Sequence, residues 1–82
     1  MQEIKLGKSF QYVNDDGIQI AIYTPEYFFR RKKKPEIIRF NSEIFDSKNH
    51  NISEPYIVRA LPQYTKDIQT ILQMYPDALM YE

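Results

Sequence analysis

The feature that most restricts this chain is a helix signature in its last third. Tyr64, Ile68, Ile71, Leu72 and Tyr75 recur at i, i+4, i+7, i+8 and i+11, and Pro62 and Pro76-Asp77 bracket them. That spacing puts all five on one face of a helix over residues 62 to 75. Proline suits the first turn of a helix and cannot continue one, so Pro62 opens this helix and Pro76 stops it. A helix with a single apolar face has to pack on a second layer, so the rest of the chain must supply one.

Strand patterns supply that layer. Ile18, Ile20 and Ile22 alternate with Gln19, Ala21 and Tyr23, the period of a strand with one buried face. Phe10-Gln11-Tyr12-Val13 precedes it across the turn-prone Asn14-Asp15-Asp16-Gly17, so residues 9 to 23 read as a β-hairpin. Thr24-Pro25-Glu26 then offers a capping hydroxyl, a proline with helical φ and an acid at the positive end of the helix dipole. The helix it starts runs over residues 25 to 34, because Pro35 drives its predecessor out of the helical region. Ile38, Phe40 and Ile44 mark a strand over residues 36 to 45, and a polar loop from Asp46 to Asn51 follows. A returning strand spans residues 54 to 61, and a last one spans residues 78 to 82.

Set in order, these elements read βαββαβ with an N-terminal hairpin arm. The expected fold is α+β and ferredoxin-like: a four-stranded antiparallel sheet with two helices on one face. The 82 residues make one small domain, which buries a little over ~60% of its unfolded surface. Such a fold hosts many functions, so function has to come from the residues themselves.

The composition removes several classes of chemistry. Cysteine is absent, which excludes disulfides, thiolate zinc sites and cysteine nucleophiles and fits a cytoplasmic protein. The start, MQEIKLGKSF, has no signal-peptide pattern, and no run of ~18 apolar residues provides a membrane span. His50 is the only histidine and sits among Asn49 and Asn51 in the polar loop, where it reads as a solvated turn residue. Asp15 and Asp16 lie in a turn and Glu36, Glu43 and Asp46 are scattered, so no carboxylate pair forms for acid-base work or metal binding. No glycine-rich phosphate loop is present. The expectation is therefore a non-enzymatic protein without cofactor, metal or small-molecule substrate.

Charge is balanced, eleven Lys and Arg against eleven Asp and Glu, with one local exception. Arg30, Arg31, Lys32, Lys33 and Lys34 follow Phe28-Phe29 directly. Each helical residue turns by about 100°, so five consecutive cations cannot face one groove, and two or three phosphate contacts are the ceiling. The alternative reading is a solvated helix end whose cations suit the negative end of the dipole.

Three stretches resemble a known module. "LGKSFQYVNDDGIQIAIYTPEYFFRRKK", "PYIVRAL" and "IQTILQMYPDALMYE" are similar to the opening, the middle strand and the closing tail of the C-terminal extension, called WCX, of WYL-domain transcription regulators. Tyr75-Pro76-Asp77 stands where that family carries a glycine before its last strand, and Lys34-Pro35-Glu36 replaces a Trp-His-like pair. The resemblance implies a regulatory interaction domain that self-associates or couples effector binding to DNA binding, with no catalytic residues. It offers Arg30, Arg31 and Lys32, with Arg39 and Arg59 on neighbouring strands, as contacts to nucleic acid or an anionic partner, and Lys33 extends that set. Two other readings stay open: a stand-alone nucleic-acid-binding protein of mobile-element type, and an inhibitor or adaptor that docks Tyr12, Tyr23 and Tyr27 on a protein partner, since aromatics dominate binding hot spots. The expected partners are thus a protein or a second copy of the chain, then nucleic acid, and not a membrane.

Overall fold

The computed structural model of the chain describes residues 1–25, 36–48 and 55–82. Its frame is a sheet of five strands, β1 (Gln2–Leu6), β2 (Ser9–Val13), β3 (Gln19–Thr24), β4 (Ile37–Phe40) and β5 (Leu79–Tyr81), lying side by side in chain order. The first four pair antiparallel and β5 joins β4 parallel. Two helices follow β4: a single turn, α1 (Tyr56–Arg59), and the longer α2 (Thr65–Met74).

Two glycines set the hairpins. Gly7 at φ 60, followed by Lys8 with an ordinary negative φ, matches a type II′ turn, whose twist suits antiparallel strands and which links Leu6 to Ser9 through two residues. Gly17 at φ 79 closes the second turn, where its amide donates to the Asn14 carbonyl (3.0 Å) and the Asn14 side chain accepts from the Asp16 and Ile18 amides. The hairpin expected over residues 9 to 23 is therefore present as β2 and β3, and β1 adds a strand in front of it.

A bulge in β3 decides which residues face the core. Tyr12 pairs with Ala21 but Val13 pairs with Gln19, so Ile20 is an extra residue on its strand. Ile20 and Ala21 are consequently both fully buried, while Gln19 lies on the far face beside Gln11 (Gln19 Nε2 to Gln11 Oε1, 2.5 Å). The expected buried stripe of Ile18, Ile20 and Ile22 is thus broken at its last member. Ile22 pairs with Gln11 and Arg39 on the face away from the core.

On the core face, Tyr12, Ala21, Ile38 and Phe40 meet Ile68 and Ile71 of α2, and Ile44 and Phe45 close the end. The expected helix over residues 62 to 75 appears as a 3₁₀ turn at Pro62–Tyr64 continued by α2, and the Tyr75 amide donates to Ile71 O at its end. Asn14 Nδ2 donates to Asp67 Oδ2 (3.2 Å), tying the first turn of α2 to the hairpin tip.

The α+β class stands, and the details of the sheet differ from expectation. In place of a four-stranded antiparallel ferredoxin-like sheet, the described residues form a five-stranded mixed one in which β3 pairs directly with β4. The strand expected over residues 36 to 45 stops at Phe40, where Asn41 starts a 3₁₀ turn by accepting from the Glu43 amide (3.0 Å). The strand expected over 54 to 61 is a helical turn at Tyr56–Arg59, and only the isolated Phe45–Ala60 bridge keeps a strand-like pairing. A strand would point Tyr56 and Arg59 to opposite faces; a helical turn brings i and i+3 together, and here the Arg59 guanidinium lies 5.1 Å from the Tyr56 ring centre. The helix expected over residues 25 to 34 falls, beyond Pro25, outside the described residues.

Candidate interaction surface

The sequence-predicted contact residues are distributed over three places. Arg30, Arg31, Lys32, Lys33, Tyr27 and His50 lie outside the described residues. Tyr12 and Arg59 are buried at 2% and 4% exposure, and Tyr23 is half-buried. Arg39 is exposed in the middle of β4.

Tyr12 belongs to an internal polar chain rather than to a docking surface. Its hydroxyl donates to Glu3 Oε2 (2.8 Å), so the short contact with Tyr75 is one in which the Tyr75 hydroxyl donates to the Tyr12 oxygen. Burial, then the bonds to Tyr75 and Glu3, push the Tyr12 hydroxyl well above the ordinary tyrosine range. Tyr23 stacks on Phe10 with centroids 5.9 Å apart, lies 4.7 Å from Tyr75, and donates to Glu36 Oε1 (2.8 Å). Two of the three tyrosines expected to be partner contacts, Tyr12 and Tyr23, are therefore engaged within the domain.

Arg59 is likewise turned inward, which takes it out of the expected set of surface cations. Its guanidinium sits 5.1 Å from the centres of the Phe45 and Tyr56 rings and forms an ion pair with Glu82, while its Nε has no partner among the described residues. Tyr56 donates to the Met80 carbonyl (2.9 Å), and burial raises its hydroxyl pKa, with the nearby Arg59 charge acting the other way. Together these contacts hold β5 and Glu82 against α1. A basic residue in an amphipathic segment reads as surface charge from sequence; Phe45 is distant along the chain, and Tyr56, three residues before Arg59, shares its side only because the segment is a helical turn and not a strand.

The face of the sheet opposite the core has a different character. Register places Ile4, Gln11, Ile22, Arg39 and Tyr81 in one row across all five strands, and Leu6, Ser9, Thr24, Ile37 and Leu79 in the next. None of the apolar members belongs to the core cluster or packs against it. Leu79 and Tyr81 stay exposed at 46% and 45%. A concavity of about 290 Å³ opens beside them, lined by Gln19, Ile22, Arg39, Phe40, Asn41, Ser42 and Glu82. Asn41 is fixed there by donating to the Gln19 carbonyl (2.8 Å). Sequence reading missed this surface because the bulge reverses which residues of β3 face the core.

At one side this face ends on β1, whose outer edge has no neighbour among the described strands. Among the described residues no group of three His, Cys, Asp or Glu is arranged to hold a metal ion, and no helix is long and apolar enough to cross a membrane. Searches against family models, curated proteins and solved structures returned no match.

Proposed function

We propose that this chain is a non-catalytic, cytoplasmic interaction domain that works through the open face of its sheet and the edge of β1 that no described strand covers. The observation that carries the reading is the pair of adjacent rows that hold Ile4, Ile22 and Tyr81 in one and Ile37 and Leu79 in the other, all standing outside the core, with Arg39 between Ile22 and Tyr81. Apolar and aromatic side chains around one arginine are the composition favoured at the centre of protein interfaces. The resemblance to the WCX module of WYL-type regulators supports a regulatory role for such contacts, self-association or effector coupling among them.

Site-specific photo-crosslinking in living cells tests the reading. A photoreactive amino acid at Tyr81 is expected to give discrete protein adducts that Ile22→Lys abolishes, while the same group at Asp15 on the hairpin tip gives none. Equal labelling at the two positions would remove the open face as a working surface.

A further inference from the structure

The outer edge of β1, which no described strand covers, carries a self-complementary pattern. In a two-residue hairpin the residues flanking the turn form a hydrogen-bonded pair, and bonded and non-bonded pairs alternate from there. Leu6 and Ser9 are that flanking pair, so Leu6, Ile4 and Gln2 direct their backbone groups to β2. Glu3 and Lys5 therefore point their N–H and C=O groups away from the sheet, along the open edge. Their side chains share the core side of the sheet, opposite Tyr12 and Phe10, and that of Ile4 lies on the open face.

We propose that two copies of this chain pair antiparallel through β1 about a two-fold axis at Ile4, joining their five-stranded sheets into one of ten strands. In that register Ile4 faces its own copy, Glu3 faces the partner copy's lysine at position 5, and Lys5 faces the glutamate at position 3. Both charged pairs are also the ones whose outward backbone groups match, so each exchanges two main-chain hydrogen bonds. Glu3 Oε1 is left for the lysine, because the bond from Tyr12 uses Oε2. The central isoleucines form the closer, non-bonded kind of pair and make the two open faces continuous.

Neighbouring registers with the same backbone phase fail on charge. An axis at Glu3 sets glutamate against glutamate, and an axis at Lys5 sets lysine against lysine, each directly opposed. A lysine on an edge strand ordinarily discourages pairing. Here its spacing from Glu3 leaves one register open. The interface is small beside a standard one of ~20–30 residues a side, so the dimer belongs with the weak, transient kind.

This inference rests on the interaction-domain reading and narrows it to one partner and one edge. Sedimentation equilibrium of the full chain from ~1 to ~300 µM tests it. The wild type is expected to dimerise, and K5E to weaken the dimer roughly tenfold or more, because two opposed pairs change from attraction to repulsion. E3K and K5E, each weak alone, should form a heterodimer when mixed, since every opposed pair is then Lys against Glu. As a check independent of charge, K5P removes an N–H that only the dimer uses, on an edge where proline is tolerated, and should give a folded monomer. A wild type that stays monomeric at ~300 µM, variants that associate as it does, or an E3K and K5E mixture without heterodimer would overturn the pairing. A monomer that still crosslinks to another protein through Tyr81 leaves the interaction-domain reading in place and removes only this register.

Discussion

The Arg59–Glu82 pair makes an asymmetric prediction, because its two partners differ in access to water. The Arg59 side chain is 5% exposed and that of Glu82 37%. Removing the glutamate charge with Glu82→Gln strands a buried guanidinium whose Nε already lacks a partner among the described residues, with the Phe45 and Tyr56 rings beside it to compensate. Breaking a buried pair from one side costs ~3–5 kcal/mol, and losing a charged hydrogen bond ~1.5–3 kcal/mol; water reaching Glu82 places this case in the lower range, about 2 kcal/mol. For a domain of this size that is a fall in Tm of roughly 8–16 °C. Arg59→Met instead keeps an unbranched side chain between Phe45 and Tyr56, deletes that Nε, and leaves Glu82 free to hydrate, so its expected cost is about 1 kcal/mol or less. Urea unfolding followed by circular dichroism, with unchanged m-values, measures both. A larger loss for Arg59→Met than for Glu82→Gln would refute the view that desolvation of the cation dominates this site.

Other outcomes follow from the same contacts. Tyr12→Phe should cost about 1–2 kcal/mol in urea unfolding, since it leaves the Tyr75 hydroxyl and Glu3 without their shared partner. Tyr12 and Tyr56 both hold their protons more tightly when folded, so stability is full below the unfolded tyrosine pKa near ~10 and falls as pH rises above it. The slope approaches ~1.4 kcal/mol per pH unit for each, and Tyr12→Phe should flatten it in an alkaline denaturation series. Ile71→Ala, at a fully buried position, should cost about 2–5 kcal/mol. Gly7→Ala meets no neighbouring atom, so its expected cost of about 1–2 kcal/mol comes from the positive φ alone, and thermal melts read it directly.

Local signals carried far into this fold where turn chemistry and periodicity agreed. The Asn14 to Gly17 turn and the stripe of Ile68 and Ile71 both lie where pattern places them. The misses have physical causes. β1 has its aliphatic Ile4 and Leu6 on the open face and the charged Glu3 and Lys5 on the core side, the reverse of the pattern that marks a buried strand. In β3, one additional residue re-phases the alternation, and period-2 reading has no means to see an insertion whose partner is a distant strand. At Tyr56 to Arg59 the β-branched Ile57 and Val58 favour a strand, and the tertiary placement of Tyr56 and Arg59 beside Phe45 overrides them. The open face, and with it the candidate surface, follows from the bulge and from the parallel addition of β5, neither of which is local.

The position of β5 also has a kinetic consequence. The first hairpins join residues close in sequence, whereas Ile37 and Leu79 meet across about half of the chain and require α2 to have docked. Contacts with so large a loop to close are expected late on the route to the native state. Substitutions at Tyr56, Arg59 and Glu82 should then leave the refolding limb of a chevron nearly unmoved and appear as faster unfolding. The C-terminal strand would thus govern how long a folded molecule lasts rather than how quickly one forms.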